Sequence, residues 1–175
     1  MLVKRVFEGK HVDVLERDGW EYVERRKAKA AVAVVAVTDD GSIVLTEQYR
    51  RPVDARVIDY PAGLVGDEDA HADAATTAKK ELQEETGYAC SRVERLAGGP
   101  SSPGITSETV SFYRAFGLRK TGKGGGVGGE GITVHEVPRD GIVDWLRQRE
   151  REGVLVDLKV WGGLYFLGGT SKPSS

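Results

Sequence analysis

Three glutamates, Glu81, Glu84 and Glu85, stand at helical spacing in the stretch Lys80-Glu81-Leu82-Gln83-Glu84-Glu85-Thr86-Gly87-Tyr88. No other stretch constrains the chain as much. On a helix all three fall on one face. Like charges so placed repel by roughly 0.2–0.5 kcal/mol per pair on an isolated helix. Such a break of a local rule marks either a solvated acidic surface or a functional site. The simplest functional reason is a hard cation, because clustered carboxylates with open water positions suit Mg²⁺ or Mn²⁺. Gly87 is placed to stop the helix. Upstream, Pro61-Ala62-Gly63 follows an apolar stretch and reads as a strand end and a turn.

Composition narrows the classes. The chain has 175 residues, enough for one domain with its own core, and a net charge of −2. Charged residues make up 30% and are well mixed, so bulk charge argues for neither nucleic acid nor a membrane as partner. The single cysteine, Cys90, excludes an intrachain disulfide and is expected to pack as a small apolar residue. No run reaches transmembrane length and the first residues lack a signal-peptide apolar region, so a cytoplasmic protein is expected.

Patterning gives the order of elements. Val12–Glu16 and Trp20–Glu24 read as a hairpin around Arg17-Asp18-Gly19. Such a hairpin is not stable alone and must lie on the main domain or on a partner subunit. Ala30–Val37 is a nearly continuous small and β-branched run, hence a buried strand. Ser42–Tyr49 alternates as the next strand. Residues 73–86 form the acidic helix, with Ala74, Ala75, Ala78 and Leu82 as a narrow apolar stripe that packs closely on a sheet. Arg92–Ala97, Thr109–Leu118 and Ile132–Val137 read as strands, with Gly98–Ser107 as a loop. Asp140–Glu152 is expected to be helical with Ile142, Val143 and Leu146 facing in. Leu158–Leu167 is expected to be a closing helix, despite glycines that lower its propensity. The run from Gly124 to Gly129 matches a dinucleotide fingerprint by letter only, because a strand follows it instead of a helix. It is expected to be a flexible loop. His11, His71 and His135 are scattered, and no Ser-His-Asp or Cys-His arrangement emerges.

With its flanks the acidic stretch resembles the Nudix box, G-x5-E-x7-R-E-U-x-E-E-x-G-U, where U is bulky and apolar. The matching residues here are Gly66, Ala72, Lys80, Glu81, Leu82, Glu84, Glu85, Gly87 and Tyr88. Two positions depart. Ala72 stands where the box has its first Glu, and Lys80 where it has Arg; in the family that pair mainly supports the loop. The chain is also longer than usual between Gly63 and the helix, so Glu68 or Asp69 offers a stand-in for the missing Glu. Beyond the box, Glu47-Gln48-Tyr49-Arg50-Arg51-Pro52, Pro61-Ala62-Gly63 and Ser102-Pro103-Gly104 with Ser107-Glu108 look like the ADP-ribose pyrophosphatase branch.

The resemblance implies roles. The carbonyl of Ala62 and the carboxylates of Glu81 and Glu85 would ligate Mg²⁺ (or Mn²⁺), and Glu84 would hold metal or a water beside it. A mobile loop before a late strand supplies one more glutamate in this branch, and the matching residue is Glu130, as metal ligand or catalytic group. Glu108 and Glu136 are the fallbacks. Arg25, Arg26, Arg50 and Arg51 are candidates for binding phosphates, and Trp20 and Tyr22 for an adenine ring. Glu108 is a further candidate for substrate binding.

The fold expected is α/β, a Nudix α/β/α sandwich with a mixed sheet and an N-terminal antiparallel hairpin arm. Its divisions are an arm over 1–28 for dimerisation, a hydrolase domain over 29–167 and a disordered tail over 168–175. The expected reaction is Mg²⁺-dependent hydrolysis of ADP-ribose to AMP and ribose 5-phosphate by a homodimer. The alternatives are a GDP- or UDP-sugar as substrate, a nucleotide-binding module without catalysis, which Ala72 and Lys80 favour, and an interaction protein whose acidic helix is only a surface.

Overall fold

The computed structural model of the chain describes residues 2–28, 30–67, 71 and 73–168. Glu68, Asp69, Ala72 and the tail from residue 169 lie outside the described residues.

Three antiparallel strands, β1 (Val3–Glu8), β2 (Val12–Arg17) and β3 (Trp20–Arg25), form the N-terminal arm. The expected hairpin is its second half. β1 escapes a hydropathy reading because all six of its residues are exposed, so it has no buried face to alternate against. The arm is tied to the body through the segment after Pro103. Val23 donates to the carbonyl of Ile105 at 2.8 Å and Ser107 donates to the carbonyl of Val23 at 3.2 Å.

The body is an eight-stranded mixed sheet. Its strands are β4 (Ala30–Val37), β5 (Ser42–Arg50), β6 (Ala55–Asp59), β7 (Ala62–Val65), β9 (Arg92–Pro100), β10 (Thr109–Phe116), β12 (Thr133–Pro138) and β13 (Leu155–Val156). β4 pairs parallel to β10, and β13 pairs parallel to β6. The two-residue strands β8 (Tyr88–Ala89) and β11 (Arg119–Lys120) pair with each other. Pro61-Ala62-Gly63 does not close a turn. Ala62 begins β7, which pairs antiparallel with β4 across Ala62↔Ala33 and Gly63↔Val32, a long-range pairing with no local signature. β9 likewise runs to Pro100, into the stretch read as loop.

The buried run of β4 serves two cores by alternation. Val32, Val34 and Ala36 face helix α1 (Ala74–Thr86), whose Ala78 and Leu82 are fully buried against them. Ala33 and Val35 face the other side, where α2 (Ile142–Arg151) contributes Leu146 and α3 (Leu158–Phe166) contributes Val160. A buried leucine such as Leu82 is worth about 2–5 kcal/mol against alanine. Val143 faces solvent, contrary to expectation; Ile142, Leu146 and the partly buried Trp145 form the inner face.

Both ends of α1 are chemically marked. Asp73 accepts from the amide of Thr76 at 2.8 Å as N-cap. Gly87, at φ 75, donates to the carbonyl of Gln83 at 2.8 Å and ends the helix. One glycine of α3, Gly163, has a packing cause. A Cβ on Gly163 would lie 2.2 Å from the ring of Tyr60, a fully buried side chain.

Candidate active site

α1, β5, β7 and the loop before β12 enclose a cavity of about 540 Å³. Glu81, Glu84 and Glu85 project from the last turns of α1, where the helix dipole is already negative. Acidic side chains there are unfavourable unless a positive charge compensates. Glu85 is buried, and its Oε2 accepts the amide of Ala62 at 3.1 Å. Burial pushes its carboxyl up to about 8, the nearby charges of Glu81 and Glu130 push the same way, and the Ala62 amide and Arg50 offset this only in part. The Glu81 carboxylate lies on the bare backbone of Gly63, where an added Cβ would sit 2.0 Å from its Cδ. Lys80, at the Arg position of the box, reaches Glu84 at 3.8 Å.

Strand β5 presents two faces. Gln48 and Arg50 line the cavity, and Gln48 Nε2 donates to the carbonyl of Glu130 at 3.2 Å. Glu47 points away and is 3% exposed. Its carboxylate accepts from Arg56, from Arg149 at 3.0 Å, and pairs with His135 Nε2 at 2.8 Å. Burial pushes the Glu47 carboxyl up, but the bonds from Arg56, His135 and Arg149 outweigh it and hold the group below the usual carboxylate range.

The glycine-rich loop, expected to be flexible, meets the end of α1 through two backbone hydrogen bonds. Gly125 donates to the carbonyl of Glu85 at 2.8 Å and Gly126 to that of Glu84 at 3.1 Å. These bonds satisfy carbonyls that the end of α1 leaves without helical partners. The approach is backbone to backbone: a Cβ on Gly124 would lie 2.4 Å from the carbonyl carbon of Thr86. The loop then brings Glu130 over the cavity, where its Oε2 accepts the amide of Val127 at 3.0 Å.

Ala62, Glu81, Glu84, Glu85, Glu130 and Arg50 therefore share one cavity. Arg50, Ala62, Gly63 and Leu64 also line a second cavity of about 1160 Å³, so the two share part of their walls. Glu108 lies in the larger one and accepts from Arg25 Nε at 2.7 Å. Asp59 and Lys159, paired at 3.0 Å, also line it. Burial pushes the Asp59 carboxyl up to about 6 despite that cation. Trp20 is exposed and donates to the carbonyl of Gly104 at 3.1 Å, outside both cavities. Tyr22 Oη accepts from Arg17 at 3.3 Å within the arm. Arg26 bonds Glu8 at 2.8 Å and the carbonyl of Gly9 at 2.9 Å, so the arm uses its charge and the structure does not bring it to the site. Arg51 lies in an exposed turn and lines neither cavity. Glu136 pairs with Lys120 at 2.8 Å, away from the cavity. Gln48 and Gly63 were missed by the sequence reading. Alternation from Arg50 would have found the first; the second needs the fold.

Among the described residues no three acidic, histidine or cysteine side chains form a ready-made cage. The side chains still fit a hard divalent cation. The donors are all oxygen, and a carboxyl pushed up by burial and by its neighbours' charges gains most from a cation between them.

The chain is 35% identical over 120 residues to the methanol dehydrogenase activator of Bacillus methanolicus, covering 68% of this chain and 63% of that protein. It is 34% identical over 124 residues to the ADP-ribose pyrophosphatase of Bacillus subtilis (strain 168), covering 64% of this chain and 62% of that one. Against the ADP-ribose pyrophosphatase of Mycobacterium tuberculosis the identity is 40% over 95 residues, 53% of this chain and 44% of the relative. The chain thus spans less than two thirds of the length of these curated relatives. A crystal structure of an ADP compounds hydrolase superposes with a TM-score of 0.67 at 21% identity, covering 84% of this chain and 81% of that one, and shares its fold. The NUDIX domain matches residues 27–152, which hold the acidic helix, β7, Arg50 and Glu130, and the chain belongs to the Nudix family.

Proposed function

We propose that this cleft hydrolyses the diphosphate bridge of a nucleotide sugar, with ADP-ribose as substrate and AMP and ribose 5-phosphate as products. One observation carries the reading: an acidic chamber and a larger one share Arg50 in their walls. The small chamber suits a cation and the diphosphate, and the large one suits a group attached to it. Mg²⁺ (or Mn²⁺), held by Glu81, Glu85 and the Ala62 carbonyl with Glu84 and Glu130 beside them, would neutralise the diphosphate and lower the pKa of the attacking water. Arg50, which lines both cavities, binds diphosphate oxygens. Glu130 orients the water and accepts its proton. The water oxygen bonds to one phosphorus, the bridging P–O bond breaks, and two phosphate monoesters leave.

The arm over residues 1–28 serves a homodimer in this reading, with 29–167 as the hydrolase domain and 168–175 as a tail. Leu2, Val3, Val6 and Phe7 are exposed on it, which supports an apolar contact with a second copy. A cytoplasmic setting belongs to the same reading. Among the described residues no helix is long and apolar enough to cross a membrane.

The deciding experiment is phosphate release, coupled to a phosphatase, from ADP-ribose, GDP-mannose and UDP-glucose with Mg²⁺. ADP-ribose should turn over fastest, and EDTA should abolish the signal. A GDP- or UDP-sugar preferred over ADP-ribose would reassign the substrate. Nucleotide binding without turnover would make the chain a non-catalytic module.

A further inference from the structure

The loop that carries Glu130 is fixed at both ends. Its first anchor is the end of α1, through the amides of Gly125 and Gly126. Its second anchor lies on the opposite face of β5 from the cavity. Thr133, three residues after Glu130, opens β12 directly across from Glu47. Arg56 spans this junction. Its Nη2 donates to Thr133 Oγ1 at 3.2 Å and to the carbonyl of Glu47 at 3.2 Å, while its Nε donates to the Glu47 carboxylate. Glu47 is in turn held by Arg149 from α2 and by His135 from β12. The next residue, Gln48, bonds the backbone of Glu130 itself.

We propose that Glu47 is a positioning residue, which acts through Arg56 and Thr133 to fix the base of the loop so that Glu130 stands over the acidic cavity. The inference rests on the proposed hydrolase reading for its kinetic consequence but not for its structural one. A buried carboxylate shared by two arginines and a histidine is far more than a strand pair needs for pairing. It makes a rigid post where β5, β6, β12 and α2 meet. Chain leaving that post has only Gly131 and Ile132 before Thr133 over which to wander, and Gln48 limits even that.

The test pairs kinetics with amide hydrogen exchange in the full chain. Thr133→Val keeps the β-branched shape at an exposed position and removes only the hydroxyl that Arg56 grips. It should speed exchange over residues 127–132 and lower kcat for ADP-ribose at saturating Mg²⁺ by about tenfold, the weight of one lost charge-assisted hydrogen bond. KM should stay within about twofold, because ground-state binding is untouched. Thr133→Ser, which keeps the hydroxyl, should restore both values. Glu47→Gln should show the same pattern more strongly; where it does not fold, Thr133→Val decides. Unchanged exchange over 127–132 in Thr133→Val would overturn the inference, and so would unchanged kcat in an active enzyme. If the parent hydrolyses no diphosphate, the hydrolase reading falls while the exchange result still judges the anchor.

Discussion

Glu81 rests its carboxylate on the backbone of Gly63, so closely that a methyl there would lie 2.0 Å from the carboxylate carbon. β7 thus offers a bare surface that lets α1 bring its acidic face down to the sheet.

Gly63→Ala must move Glu81 or part β7 from α1. Activity with Mg²⁺ should fall by at least about tenfold while the loss of stability stays within the 1–3 kcal/mol typical of overpacking. Comparing kcat with chemical denaturation tests this. An active variant whose half-saturating Mg²⁺ is unchanged would show that Glu81 has no fixed part in the site.

The second prediction concerns pH. The folded-state value of Glu85, about 8, lies above its ordinary 4.5, so the folded chain keeps a proton that the unfolded chain has lost between those values. The contribution of Glu85 to stability is therefore complete below about 4.5 and is lost as pH rises towards about 8. Glu85→Gln should match the parent in Tm near the low end and exceed it near the high end without divalent cation. The gap should be on the order of 1–3 kcal/mol, a few degrees of Tm. Added Mg²⁺ should raise the Tm of the parent alone, and the variant should lose turnover by orders of magnitude. Parallel melting curves across the whole range would refute the burial argument.

For Glu130, exchange to Gln should lower kcat by about 10²–10⁴, as expected for a base or water-orienting group, with little change in KM. Gln substitutions at Glu108 and Glu136 are the controls. Full kcat in Glu130→Gln together with a loss at Glu108 would move the role to the larger cavity and leave the hydrolase reading intact.

The arm supplies the fourth test. Removing residues 1–24 deletes β1, β2 and most of β3, and with them the bonds from Val23 to the Ile105–Ser107 segment. Light scattering should show loss of the dimer, and activity should drop because Glu108 loses Arg25 as an ordered neighbour. A stable, fully active monomer would show that the arm serves neither assembly nor site.

What could be read from residues alone was local or periodic. The stripe of Ala74, Ala75, Ala78 and Leu82 and the stop at Gly87 announce α1, and the run over Ala30–Val37 announces a buried strand. Arg50 followed from its motif. The losses have physical causes. β7 exists only because β4 pairs with it. β1 hides because it has no buried face. Helical spacing turns Val143 inward, but Trp145 takes the inner side of α2. The post around Glu47 draws on β6, β12 and α2, so no window along the chain contains it. Arg26 was a fair phosphate candidate by charge, yet Glu8 and Gly9, distant in sequence, hold it in the arm.

The contact between the end of α1 and the glycine loop has an evolutionary consequence. A Cβ on Gly87 would lie 2.2 Å from the carbonyl oxygen of Gly122, and one on Gly124 would strike Thr86. Both glycines also sit at positive φ, 75 and 69. Drift in this stretch is therefore confined to spacer positions such as Gly128, where a Cβ meets nothing within 4 Å and only the backbone angle resists. A segment that looks like low-complexity filler is, at Gly87 and Gly124, among the least replaceable parts of the chain.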